Sequence, residues 1–106
     1  MLKGHCECRR VCFEVDGKIE DFSHCHCSQC RRLHGAAYAT FAAVRRDGFR
    51  YTSGESETGH YASSERNDQV FFSRCGSPIL VDSRGDPDVL YLSMSTLEGD
   101  PKRPVG

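Results

Sequence analysis

Seven cysteines carry most of the chemistry open to this chain. Cys6 and Cys8 form a C-x-C pair, Cys25, Cys27 and Cys30 form a C-x-C-x-x-C triplet, Cys75 stands in a Phe-Ser-Arg-Cys-Gly-Ser segment, and Cys12 is left over. Thiolate sulfur binds zinc at about 2.3 Å, and thiols one or two residues apart can grip a single ion. Residues two apart on a strand point to the same face, so Cys6 and Cys8 are expected to reach one ion from a strand. The triplet can fill three corners of a tetrahedron and leaves the fourth to another residue, to water or to substrate. A closed tetrahedron is the structural kind of zinc site, and one with an open position is the catalytic kind. Spacing alone leaves both roles open.

Other readings compete for these thiols. Cys27-Ser28-Gln29-Cys30 also has the spacing of a dithiol redox pair, which expects a strand-then-helix setting of the thioredoxin type; the extra thiol at Cys25 and the lack of a βαβ pattern argue against it. Cys12 reads as a small, half-buried strand residue. His5, His24 and His26 lie beside thiols and can complete a tetrahedron, though a histidine next to a ligand more often supports the site from outside. His34 and His60 have no neighbour that singles them out. The arginine pairs (Arg9–Arg10, Arg31–Arg32, Arg45–Arg46) read as solvated faces. Arg31, directly after the triplet, has the best claim to a function, by lowering a thiol pKa or holding a substrate carboxylate.

The elements that must position these residues are short. The chain has 106 residues, 38% of them hydrophobic, with 10 glycines and no tryptophan. Such a composition suits short strands joined by tight turns, with metal adding to a small core; structural zinc contributes roughly 10–16 kcal/mol in small peptides. A net charge of −1 argues against nucleic acid as the main partner. The N-terminus has no apolar stretch of the signal-peptide kind, and the run from Ala36 to Val44 is too short to span a bilayer, so no membrane partner is expected. A cytoplasmic protein is expected, where thiols stay reduced and serve as ligands or catalysts. The oligomeric state is left open.

Val11 to Val15, Asp16-Gly17 and Lys18 to Glu20 read as a hairpin, because Asp-Gly accepts the backbone of a type I′ turn. Ser28 to His34 reads as a short helix capped by Ser28 and ended by Gly35. Strands are expected over Tyr38 to Val44, Phe49 to Thr52, Gln69 to Phe72, Ile79 to Asp82 and Val89 to Ser93. Residues 1–98 are expected to form one zinc-binding domain, followed by a polar tail at 99–106.

The order of motifs resembles a known family. Gly4-His5-Cys6-Glu7-Cys8, then Val11 to Val15, then Cys25-His26-Cys27-Ser28-Gln29-Cys30-Arg31-Arg32 with Gly35, Tyr61 to Ser64, and Phe71 to Ser77 resemble the glutathione-dependent formaldehyde-activating enzyme family, also called the CENP-V/GFA domain. The resemblance implies a mostly β, tent-like zinc fold of short antiparallel sheets with little helix. It implies up to two zinc ions per chain. Cys6, Cys8 and Cys75 would hold a structural zinc, and Cys25, Cys27 and Cys30 the catalytic one. The implied activity is that of a carbon–sulfur lyase, joining the thiol of a small partner such as glutathione to formaldehyde; the alternative is a non-catalytic zinc-binding interaction module. Three positions depart from the family pattern: Phe72 stands where the late element has a first cysteine, Arg9 where a glycine usually follows the first pair, and Gln69 where a basic residue is common. Water, His5 or Cys12 would then fill the corner that Phe72 leaves, or Phe72 would replace the metal by packing. Ser63 and Ser64 read as a plain turn, with substrate binding through their hydroxyls as the other reading.

Overall fold

A computed structural model describes residues 1–98. The polar tail expected at 99–106 lies outside the described residues. Among these, the chain is mostly β, with nine strands and one α-helix. Three strands, β1 (Leu2–His5), β2 (Cys12–Val15) and β5 (Phe49–Ser53), form an antiparallel sheet in the order β1-β2-β5. The other six are β3 (Asp21–Cys25), β4 (Ala39–Arg45), β6 (Thr58–Ala62), β7 (Asn67–Phe72), β8 (Pro78–Ser83) and β9 (Val89–Ser93), in the order β3-β4-β9-β8-β7-β6. Helix α1 (Ser28–His34) joins β3 to β4.

Side chains alternate across a strand, and the long sheet uses both faces. Ala42 and Val44 of β4, Leu80 of β8, Leu90 and Leu92 of β9 and Val70 and Phe72 of β7 join Val11, Phe13 and Val15 in one buried cluster between the sheets. Ala39 and Phe41 of β4 and Val81 of β8 point the other way and pack with Cys30 of α1 in a second cluster. The long sheet therefore has a layer on each side, and each cysteine group belongs to a different one: Cys6 to the first cluster, Cys30 to the second.

The expected strands over 38–44, 49–52, 69–72, 79–82 and 89–93 all appear, displaced at their ends by no more than two residues. The expected hairpin does not. β2 pairs with β1 before it and β5 after it, with Phe13 opposite both Gly4 and Tyr51. Asp16-Gly17, with Gly17 at φ 93°, instead turns the chain out of the small sheet toward β3 in the large one. Ile19 packs on the intersheet core during that crossing, and Asp16 N–H donates to Gly48 O at 2.8 Å. A burial site for Ile19 and the better partner β5 outweigh the local turn preference. Charge follows the same pairing: Arg50 of β5 donates to Glu14 at 2.7 Å and to Asp16 at 2.8 Å.

Gly54 closes the link between β5 and β6. Its φ is 81°, and a Cβ there would stand 2.3 Å from Arg10 O in the loop that carries Cys8. Arg10 O belongs to main chain and a Cβ is fixed by its own backbone, so neither can rotate away. Gly54→Ala is expected to destabilise the protein by at least about 1–2 kcal/mol through the left-handed backbone alone. Urea unfolding followed by circular dichroism measures it, and a midpoint equal to that of the parent would show that the Arg10 loop yields freely.

Candidate metal centres

Two groups of three cysteines are assembled, Cys6 with Cys8 and Cys75, and Cys25 with Cys27 and Cys30; within each, the sulfurs lie within 4.8 Å of one another. Cys6 and Cys8 Sγ are 3.6 Å apart, and Cys25 and Cys27 Sγ are 3.4 Å apart. Bonds of about 2.3 Å at tetrahedral angles put sulfurs about 3.8 Å apart. Soft thiolate donors at this spacing suit zinc, and each triad can hold a metal ion. Among the described residues neither triad includes a fourth histidine, cysteine or carboxylate.

The triplet is built by a strand end and a helix start. Cys25 is the last residue of β3, opposite Ala39 of β4. Cys27 is the N-cap of α1, and its sulfur accepts the Cys30 N–H at 3.3 Å. The cap is thus one of the triplet sulfurs, and the expected cap, Ser28, is the first helical residue. Gly35 ends the helix at φ 59° in the left-handed conformation, as expected. One turn into α1, Cys30 is buried while Cys27 is exposed. These surroundings separate their acidities. The Cys30 amide, then the Cys25 and Cys30 thiols, hold Cys27 down to about 7. Burial, then hydrogen bonding to Cys25 and Cys27, pushes Cys30 up to about 12. The depression at Cys27 comes from helix-start amides and neighbouring thiols; Arg31, exposed on α1, is not among its causes.

The surroundings of the triplet are fixed by contacts that spacing did not announce. Gln29 Nε2 donates to Ser63 O at 3.0 Å, and Gln69 Nε2 donates to Ser63 Oγ at 3.3 Å. This ties α1 to the β6–β7 turn and gives Gln69 a structural partner. Ser64 Oγ accepts from Asn67 N–H at 3.1 Å, so Ser64 does serve the turn. Tyr38 is exposed and packs edge-on against His24 and at a tilt against His26, with ring centroids 5.0 and 4.9 Å away. His24 Nδ1 is 3.0 Å from Thr40 Oγ1. His34 lies against Phe41, and burial lowers its pKa.

The other triad forms differently from the strand expected for it. β1 ends at His5, and Cys6 to Arg9 is a tight turn in which Arg9 N–H donates to Cys6 O at 3.1 Å. The turn, rather than strand alternation, brings the first two sulfurs together. Cys6 is fully buried, and its sulfur accepts the Val11 N–H at 3.4 Å. Cys75 enters from the β7–β8 hairpin, where Gly76 has φ 78° and Gly76 N–H donates to Phe72 O at 2.9 Å. Burial acts to raise the Cys75 pKa, but the Ser77 hydroxyl, the Cys8 and Ser77 amides and the Cys6 thiol outweigh it and bring it to about 6. At Cys8 the Arg10 amide lowers the pKa, while burial and the Cys6 and Cys75 thiols leave it raised. Ser77 is the neighbour that sequence reading missed. Its Oγ lies 3.2 Å from Cys75 Sγ and accepts Glu7 N–H at 3.0 Å. Its place two residues after a ligand-type cysteine was the available signal.

Neither residue expected to fill the corner at Phe72, His5 or Cys12, is gathered with the three sulfurs. His5 Nδ1 is 2.7 Å from Cys6 O, and its Nε2 is 3.8 Å from Glu98. Cys12 Sγ donates to Arg9 O at 3.2 Å. Phe72 itself is fully buried with Cys6 in the intersheet core. Arg9 adopts φ 67°, alone among described non-glycine residues in having a positive φ.

The left-handed Arg9 yields a prediction. Arg9→Gly is expected to stabilise the metal-free protein by about 0.5–1 kcal/mol, since relief of left-handed strain exceeds the extra freedom of glycine in the unfolded chain. Thermal melts in the presence of chelator test this, and a lower melting temperature for the variant would refute it.

Comparison with known proteins follows this geometry. A family model described as glutathione-dependent formaldehyde-activating enzyme matches residues 1–105. A crystal structure of a Rhodobacter sphaeroides protein is 29% identical, with a TM-score of 0.77, over 92% of this chain and 88% of that one. No curated protein matches the chain. No helix among the described residues is long and apolar enough to cross a membrane.

Proposed function

The chain belongs to the glutathione-dependent formaldehyde-activating enzyme family, and from that premise we propose that Cys25, Cys27 and Cys30 hold a catalytic zinc at which a small thiol such as glutathione adds to formaldehyde. The observation that carries this reading is the triplet itself: three sulfurs gathered within 4.8 Å, and no fourth protein donor among the described residues. When bound, zinc supplies a Lewis acid and keeps an incoming thiol deprotonated near neutral pH.

The rest of the work falls to the chain. Cys27 is held close to its anionic form by the start of α1, and Cys30 anchors the group in the core behind the long sheet. Tyr38 with His24 and His26 forms an exposed aromatic wall on residues flanking Cys25. Arg31, exposed directly after Cys30, is suited to a substrate carboxylate. In the reaction the thiol sulfur forms a bond to the carbonyl carbon, the carbonyl π-pair moves to oxygen, and the proton lost by the thiol ends on that oxygen. In this reading Cys6, Cys8 and Cys75 hold the second zinc as part of the scaffold. A cytoplasmic setting, where glutathione is reduced, goes with it.

Cys27→Ser separates chemistry from folding, because serine is a favoured N-cap and keeps the helix start. The variant is expected to lose one bound zinc relative to the parent and at least 100-fold in the rate of S-hydroxymethylglutathione formation, with a far-ultraviolet spectrum unchanged. Cys27→Ala should add a loss of about 1 kcal/mol in stability from the missing cap. A Cys27→Ser protein that retains the parent rate would rule out the triplet as the catalytic centre.

A further inference from the structure

The scaffold triad differs from a closed structural site in one respect. Cys6 is buried, but Cys8 and Cys75 are exposed. The place expected for a fourth sulfur is held by Phe72, which is fully buried and committed to the intersheet core with Cys6. Neither His5 nor Cys12 is gathered with the three sulfurs: His5 Nδ1 lies by Cys6 O with Nε2 toward Glu98, and Cys12 Sγ donates to Arg9 O. Ser77 Oγ is close to Cys75, but it already accepts the Glu7 N–H, and a neutral hydroxyl is a weak zinc ligand beside three thiolates. A three-thiolate zinc lacking a fourth protein donor has an open position. Here that position would adjoin Cys8 and Cys75, both reachable from solvent.

We propose that Cys6, Cys8 and Cys75 form a second open zinc centre, one that takes a small exogenous thiol as its fourth ligand. The incoming thiol loses its proton to solvent as its sulfur enters the vacant corner; no carbon–sulfur bond changes and nothing is oxidised. The inference goes beyond catalysis at the triplet and does not depend on it. It makes the metal at this triad exchangeable, held by three protein sulfurs and guarded by whichever thiol is abundant.

The test removes the triplet from the measurement. Cys25→Ala/Cys27→Ala deletes two sulfurs that are exposed or half-buried and leaves the buried Cys30 in the core. In that background, cobalt(II) serves as a visible stand-in for zinc. One cobalt per chain is expected, with sulfur-to-metal charge-transfer absorption of three sulfur–cobalt bonds. Titration with 2-mercaptoethanol should raise that absorption by about one third as a fourth bond forms. Adding Phe72→Cys to the same background should give the four-sulfur intensity at once, insensitive to 2-mercaptoethanol. It should also slow cobalt loss to a chelator by at least tenfold. Should the Phe72→Cys protein fail to fold, the titration with Phe72 in place still decides. A spectrum there that does not respond to thiol, or a triad that binds no cobalt, overturns the proposal. Loss of activity in Cys27→Ser bears on the triplet alone, so the two readings fail separately.

Discussion

The register of β4 is the constraint on which the rest depends. Period-two alternation sends Ala42 and Val44 into the intersheet core and Ala39 and Phe41 to the opposite face, where α1 lies. The same register sets Cys25 of β3 opposite Ala39, at the point where the chain must leave the sheet. A slip of one residue would exchange the two faces, exposing Val44 and filling the intersheet space with the wrong side chains. It would also carry Cys25 away from the base of α1. Burial of ordinary apolar residues therefore fixes where the sulfur donors converge.

The triads solve one problem in two ways. At the triplet a strand end and a helix cap supply all three sulfurs from six consecutive residues, so assembly is local. At the other triad a turn after β1 meets a hairpin nearly seventy residues later, and closure waits on the two sheets packing together. Assembly of the second triad is thus coupled to the global fold, while the triplet needs only β3, α1 and the strand beneath them.

Much of this could be read before the fold was known. Large alternating residues marked β4, short apolar or aromatic runs marked β5, β7, β8 and β9, and Gly35 marked the end of α1. The strands β1, β3 and β6 escaped notice because their residues are largely polar or half-exposed: Asp21-Phe22-Ser23-His24-Cys25 carries no apolar alternation, and Thr58 to Ala62 very little. Asp16-Gly17 suggested a hairpin because a turn signal reports local geometry and says nothing about which strand is the better partner. Ser28 was the natural cap by propensity, yet sulfur at Cys27 sits where the Cys30 amide points. Spacing marked the pair and the triplet, the family resemblance joined Cys75 to the pair, and the assembled triads agree with both, while the strand geometry assumed for Cys6 and Cys8 gives way to a turn with Arg9 at φ 67°. A positive φ of this kind favours glycine, which has no side chain to strain, and here an arginine adopts it.

One consequence of β3 concerns association between chains. It is an outer strand of the long sheet, so one row of its amides and carbonyls meets no partner strand among the described residues. Such an edge is a template on which another molecule can add a strand and begin aggregation. This edge is five residues long, Asp21, Ser23 and His24 along it are exposed, and it stops at a cysteine turn that swings the backbone out of the plane of the sheet. A foreign strand would find a short, polar rail ending at a cysteine-rich bend. The turn that collects sulfur also terminates the sheet, giving it a second use as protection against runaway growth.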